Sequence, residues 1–183
     1  MSGAPMHNEA VLRLRREFDL SFAQPGRVES IDTEQLLAVR IGGDPYALRV
    51  AEIGALLVDR RIVALPGPMP ELLGVAAFRG QIAPVYDLGA LLGYPRRSGQ
   101  RWLVLARHAH PLALTFDSFD AQLSATAERI VTLAGDRAAD VMQASAPRQA
   151  VQDGDTLRPI VALAALIEDI QRRVESARYA KEP

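Results

Sequence analysis

A few side chains in this sequence have types and spacing that could do chemistry. His108 and His110 are separated by one alanine beside Pro111. Alternate residues of an extended chain point the same way, so the two imidazoles could share a metal ion. Asp117 lies near Asp120, and Asp153 and Asp155 flank Gly154; close carboxylates could serve as an acid and base pair. Both cases are incomplete. No third ligand of suitable spacing accompanies the histidines, and paired acids at a glycine turn more often accept from backbone amides. The absence of cysteine excludes disulfides, thiolate metal centres and cysteine nucleophiles. There is no glycine-rich phosphate loop, nucleophile elbow or H-E-x-x-H helix. The expectation is a chain that is not an enzyme and takes neither metal nor other cofactor. A metal-binding or enzymatic β-barrel using His108 and His110 is the alternative.

The elements that must position these residues are mostly strands. Composition is that of a folded soluble protein, with 49% hydrophobic and 23% charged residues. A net charge of −1 and a pI near 6.3 give no basic face for nucleic acid. The longest apolar run, residues 160–167, is far short of the roughly 20 residues that span a bilayer, so no direct membrane insertion is expected. Arg13, Arg15 and Arg16 interrupt the first apolar positions, which argues against a signal peptide.

Val11, Leu14, Phe18 and Phe22 recur at helical spacing, so residues 6–18 are predicted as an amphipathic helix. Gln24-Pro25-Gly26-Arg27 breaks it, making residues 1–33 an N-terminal extension. From Glu34 to about Ala146 the pattern is β. Strands are predicted over 34–41, 46–50, 56–65, 74–78, 82–86, 102–106, 112–116 and 121–123, and such short segments favour small barrels. The domain is taken as 34–178, with 179–183 a tail. It closes with a helix over 162–178, where Glu168 with Arg172 and Asp169 with Arg173 form favourable i,i+4 pairs. Pro84–Leu92 resembles Pro159–Ile167, 75 residues later. Each copy reads as a strand running into a helix, and its proline favours an edge or a bulge.

The most informative stretch is Leu73 to Leu88. It reads as strand, Arg79-Gly80 turn, strand, and a helix N-capped by Asp87 and closed by Gly93. Gly74, Val75, Arg79, Gly80, Ile82, Pro84, Val85, Asp87 and Leu88 fit the pattern G-V-x-N-x-R-G-x-[IV]-x-P-V-x-D-L, and the sequence resembles the CheW family. Tyr46 to Ile53, Ile62 to Pro66 and Trp102 to Phe119 extend the likeness, which covers roughly residues 34–170.

The resemblance implies a mainly β fold of two interlocked five-stranded SH3-like barrels with a hydrophobic seam, joined to the N-terminal helical extension and the C-terminal α-helix. It implies a cytoplasmic adaptor, peripheral to the inner membrane through receptor arrays. The adaptor would couple the regulatory domain of a CheA-type histidine kinase to the cytoplasmic tips of methyl-accepting chemoreceptors. Carried over, Val50, Leu73 and Gly74 face the kinase, and Arg79 with Gly80 serves receptor coupling. Ala77 stands where the family has asparagine, Leu73 where a basic residue is frequent, and Phe116-Asp117-Ser118-Phe119 where it has V-D-G-V. These departures imply a specialised member, serving twitching or surface sensing.

Overall fold

The computed structural model describes residues 33–67, 69–97, 99–133 and 148–179. The predicted N-terminal helix and residues 180–183 of the tail lie outside the described residues.

β1 (Thr33–Ile41) returns through Gly42-Gly43 as β2 (Asp44–Arg49), followed by a 3-10 turn at Val50–Glu52 and β3 (Ile53–Val58). β4 (Leu72–Phe78) and β5 (Gln81–Asp87) form a hairpin leading into a one-turn helix, α1 (Leu88–Leu91). β6 (Trp102–Ala106), β7 (Ala113–Phe116) and β8 (Ser118–Thr126) follow, then a 3-10 turn at Ala127–Arg129 and β9 (Ile130–Thr132). β10 (Gln149–Asp153), β11 (Thr156–Val161) and helix α2 (Leu163–Tyr179) complete the described elements.

The strands make a six-stranded sheet, β8-β1-β2-β11-β10-β9, and a five-stranded sheet, β3-β6-β7-β5-β4. The two orders are equivalent, strand for strand. β10–β11 corresponds to β4–β5, and β1–β2 to β6–β7. The match extends to register: Val75 pairs with Pro84 as Ala150 pairs with Pro159, and Ala77 with Ile82 as Gln152 with Leu157. The sixth strand is β9, whose Val131 pairs with Ala150. In the other sheet a single bridge, Val63 to Val75, takes its place. The first barrel is therefore built from both ends of the described chain, with the second inserted between its halves.

The two prolines sit in interior strands, not at edges. Each precedes the residue where parallel pairing begins, Val85 with Ala113 and Ile160 with Ala47, so its missing N–H faces no ladder partner there. The strand predicted over 56–65 lies earlier, at 53–58. The chain from Asp59 onward leaves the sheet because Asp59 has φ 53, a conformation that ends extended pairing. On α2, Arg173 reaches Asp169 at 4.0 Å, but Arg172 turns to Asp169 at 3.1 Å instead of to Glu168.

Three apolar clusters hold the fold. Leu36, Ala47, Ala125, Val151 and Ile160 fill the first barrel. Ala76, Phe78, Ala83, Val85, Leu103 and Ala113 fill the second. The largest is the seam between the sheets, where Ile41, Leu48, Leu88, Leu114, Phe116 and Leu166 are all fully buried. Each such side chain stabilises the fold by roughly 1.5–3 kcal/mol through burial. At the edge of the seam, Tyr94 packs against Gly42, where a side chain would meet its ring. Its hydroxyl donates to Asp44 Oδ2 at 2.6 Å, and burial with that bond pushes it well above the usual tyrosine range.

Polar contacts set both helices. Asp87 Oδ1 accepts from the Ala90 amide at 3.2 Å, the predicted N-cap, and from Gln100 Nε2 at 3.1 Å. Glu52 Oε2 accepts from the Leu163 amide at 2.7 Å, so a carboxylate near β3 faces the positive end of α2. Glu52→Ala is expected to lower stability by about 1 kcal/mol, read as a lower urea midpoint at unchanged slope.

Candidate docking surface

The β4–β5 hairpin carries the motif. Its tip is a two-residue turn with φ 48 at Arg79 and φ 84 at Gly80, both left-handed, as a hairpin of this twist requires. Gly80 has open space around it, and Arg79 projects into solvent from the turn.

Gly74 has a different role. At φ 146 it opens a bulge in β4, and a Cβ there would fall on the Val63 carbonyl and 2.8 Å from the Ala64 Cα. The missing side chain lets residues 63–64 close the barrel. Val63 N donates to Val75 O at 2.8 Å, and Val75 N to Val63 O at 2.9 Å. Leu73 is half-buried against the second barrel's core, and Val50 begins the 3-10 turn, half-buried against the seam. Val50, Leu73 and Gly74 thus have packing duties, whereas Arg79 has none.

Several of the exposed residues beside them are apolar. On β5, Ala83 and Val85 point into the barrel, so Ile82, Pro84 and Tyr86 share the outer face. Ile82 is 71% exposed and Val63 is 52% exposed. Ala77, opposite Ile82, is also exposed, so the alanine in place of asparagine extends this apolar face. The first barrel presents the equivalent pair, Val131 and Leu157, at 40% and 43% exposure.

The two ends differ in charge. Arg60, Arg61 and Arg79 flank the Val63–Ile82 end, and none meets a carboxylate among the described residues. Asp59 instead pairs with Arg101 through two bonds of 2.6 and 2.5 Å. The Arg101 hydrogen bond holds its carboxyl below the usual range. At the other end Glu128 and Asp155 are exposed, while Arg129 donates to the Gln152 carbonyl at 3.0 and 2.6 Å. The Val63–Ile82 end therefore carries arginines without carboxylate partners, whereas the counterpart end carries charges of both signs, Glu128 and Asp155 beside Arg129 and Arg148.

The chemical candidates do not assemble into a site. His108 and His110 occupy an exposed loop with ring centroids 6.3 Å apart, and the His110 amide donates to His108 Nδ1 at 3.3 Å. No group of three or more potential metal ligands occurs among the described residues. Asp117 accepts from the Gly43 amide at 3.0 Å, and Asp153 and Asp120 share Arg158 at 2.9 and 3.1 Å.

The sequence pattern singled out the hairpin tip and Gly74 but missed Val63, Ile82, Val131 and Leu157. Each sits in a strand-like alternation that resembles a core position. The 75-residue repeat was the usable signal, because it superposes Ile82 on Leu157.

Known proteins resemble this chain. Protein PilI of Pseudomonas aeruginosa is 32% identical over 89 residues, 47% of this chain and 50% of PilI. The chain thus matches about half the length of that curated relative. The crystal structure of scaffolding protein TtCheW from Thermoanaerobacter tengcongensis superposes with a TM-score of 0.65 at 18% identity. The superposition covers 74% of this chain and 93% of that one, a likeness of fold that includes the paired barrels. A family model described as the CheW-like domain matches residues 35–171, and the chain belongs to that family.

Proposed function

We propose that this chain is a non-catalytic adaptor coupling a CheA-type histidine kinase, through its regulatory domain, to the cytoplasmic tips of chemoreceptors. Residues 34–178 would carry this role, with 1–33 an appended arm and 179–183 a tail. The observation that carries the reading is the pair of equivalent apolar ends, Val63 with Ile82 and Val131 with Leu157. Two separated patches suit a protein that holds two partners at once, and the arginines around the Val63–Ile82 end distinguish it from its counterpart. Gly74 then acts indirectly, by placing Val63 at the surface, and Arg79 supplies charge beside Ile82.

Such an adaptor passes a signal by favouring one state of the kinase through contacts that differ between states. No described helix is long and apolar enough to cross a membrane. An adaptor between a kinase and receptor tips would work in the cytoplasm, held near the inner membrane by receptor arrays. The apolar Leu73 and Ala77 support a specialised pathway whose kinase and receptor differ from those of flagellar chemotaxis.

The test is calorimetric titration with the regulatory domain of the histidine kinase from the same cell. Ile82→Asp is expected to weaken binding about 30-fold (~2 kcal/mol) with an unchanged melting temperature, since Ile82 supports no core. Equal binding by the variant, or no binding by the unaltered chain to that domain, would sink the reading.

A further inference from the structure

Helix α2 is held in two unequal halves. In the first, Leu163, Leu166, Ile167 and Ile170 are buried in the seam and Glu52 fixes the leading amide. From Gln171 to Ala177 no residue is buried, and Val174 packs against the seam from its edge. Open space flanks this half on both sides. A cavity of about 390 Å³ is bordered by Met69, Asp169, Arg172, Arg173 and Ser176. A groove of about 490 Å³ is bordered by Pro84, Tyr86, Leu112, Ile170 and Val174.

One polar contact ties the second half down. Arg173 Nη2 donates to Glu71 Oε1 at 2.6 Å, and Glu71 is only 7% exposed. The contact is incompletely satisfied. Glu71 Oε2 has no hydrogen-bond partner among the described residues, and Asp169 Oδ2 faces Arg173 Nη1 only at the 4.0 Å of a loose ion pair. A buried ion pair roughly offsets its desolvation only when its remaining donors and acceptors are bonded. Opening this half exposes these charged groups to water, at the cost of uncovering Val174 and the Tyr86 ring.

We propose that residues 171–179 form a strap, latched by Arg173 on Glu71, that opens separately from the rest of α2 and uncovers Pro84 and Tyr86. Those residues continue, on the same face of β5, the row begun by Ile82. Opening therefore lengthens the apolar docking row from its exposed tip toward the seam. Tyr86 is 5% exposed and shares the seam cluster with Ile170, with Val174 of the strap packed at its edge. The regulatory part rests on the Ile82 row being the docking surface proposed above: a partner that seats the longer row would hold the strap open.

Hydrogen exchange on the full chain tests the strap, using the unaltered protein, Glu71→Gln and the double variant Glu71→Leu with Arg173→Met. Strap amides at 175–179 are expected to exchange about tenfold faster in the first variant and about tenfold slower in the second, with amides 167–170 unchanged. A helix end that merely frays would ignore Glu71, which lies outside the helix. Identical strap rates in all three proteins, or a first half that moves with the second, would overturn the proposal. Glu71→Gln should also bind the kinase domain several-fold more tightly. A responsive strap with unchanged affinity overturns the regulatory role. Absent kinase binding by the unaltered chain instead overturns the docking reading and leaves the exchange result standing.

Discussion

Replacing Gly74 with valine is expected to destabilise the protein by about 3–6 kcal/mol, combining left-handed strain with overpacking against a backbone that cannot yield. The carbonyl it would strike belongs to Val63, whose two hydrogen bonds with Val75 close the second barrel. No rotamer change relieves the clash, because the first atom of the side chain causes it. Urea unfolding followed by circular dichroism should show the midpoint collapse. Gly80→Val is the matched control. Gly80 also has positive φ but nothing near it, so that variant should lose only about 1–2 kcal/mol. Equal losses at the two glycines would show that backbone conformation alone matters and that the Val63 approach does not. Any loss of partner binding in Gly74 variants must accordingly be separated from unfolding, and exposed Ile82 is the cleaner probe of the surface.

Phe116→Ala should cost about 3–5 kcal/mol, the range for deleting a fully buried aromatic ring. Phe116 lies at the seam with no exposed surface, its ring centroid 6.4 Å from that of Trp102. Trp102 also meets Phe119, at 5.6 Å. Removing the Phe116 ring leaves a cavity between the sheets and frees the indole on one side. Trp102 is the single tryptophan of the chain, so its native-state emission reports the site directly. The expected result is a lower urea midpoint with a shifted native spectrum. A spectrum identical to that of the unaltered protein would mean that the stack does not exist in solution.

Much of this fold could be read from the sequence where a local rule had a single physical outcome. Asp87 before Leu88 can accept from the first-turn amides and does so at Ala90, and Arg79-Gly80 between two apolar alternations makes a tight hairpin. The repeated proline strands were visible too, but their placement was not. An absent N–H suggests an edge locally, whereas the sheet accommodates it by starting the parallel ladder one residue later. The segment after Val58 defeated periodicity because its apolar residues answer to one bridge and to the surface, not to a continuous strand. The exposed apolar patch was hidden for a related reason. Ile82 alternates correctly with Ala83 and Val85, and only the finished barrel shows that its side has no cover.

The connectivity of the barrels also dictates when the protein can come into being. β1 and β2 are made early, yet their neighbours β8 and β11 are made last, with the second barrel between them: Leu36 pairs with Leu123 and Leu48 with Val161. During synthesis the inserted barrel has all its strands once β7 has left the ribosome. The opening hairpin must meanwhile wait with its core-facing residues unmatched. Joining it to the late strands closes loops of many tens of residues, which places folding among the slower, topology-limited β proteins, at about milliseconds to seconds. A newborn chain thus passes through a stage with one barrel ready and the other open, and in that interval a stray strand could take the place reserved for the chain's own C-terminal half.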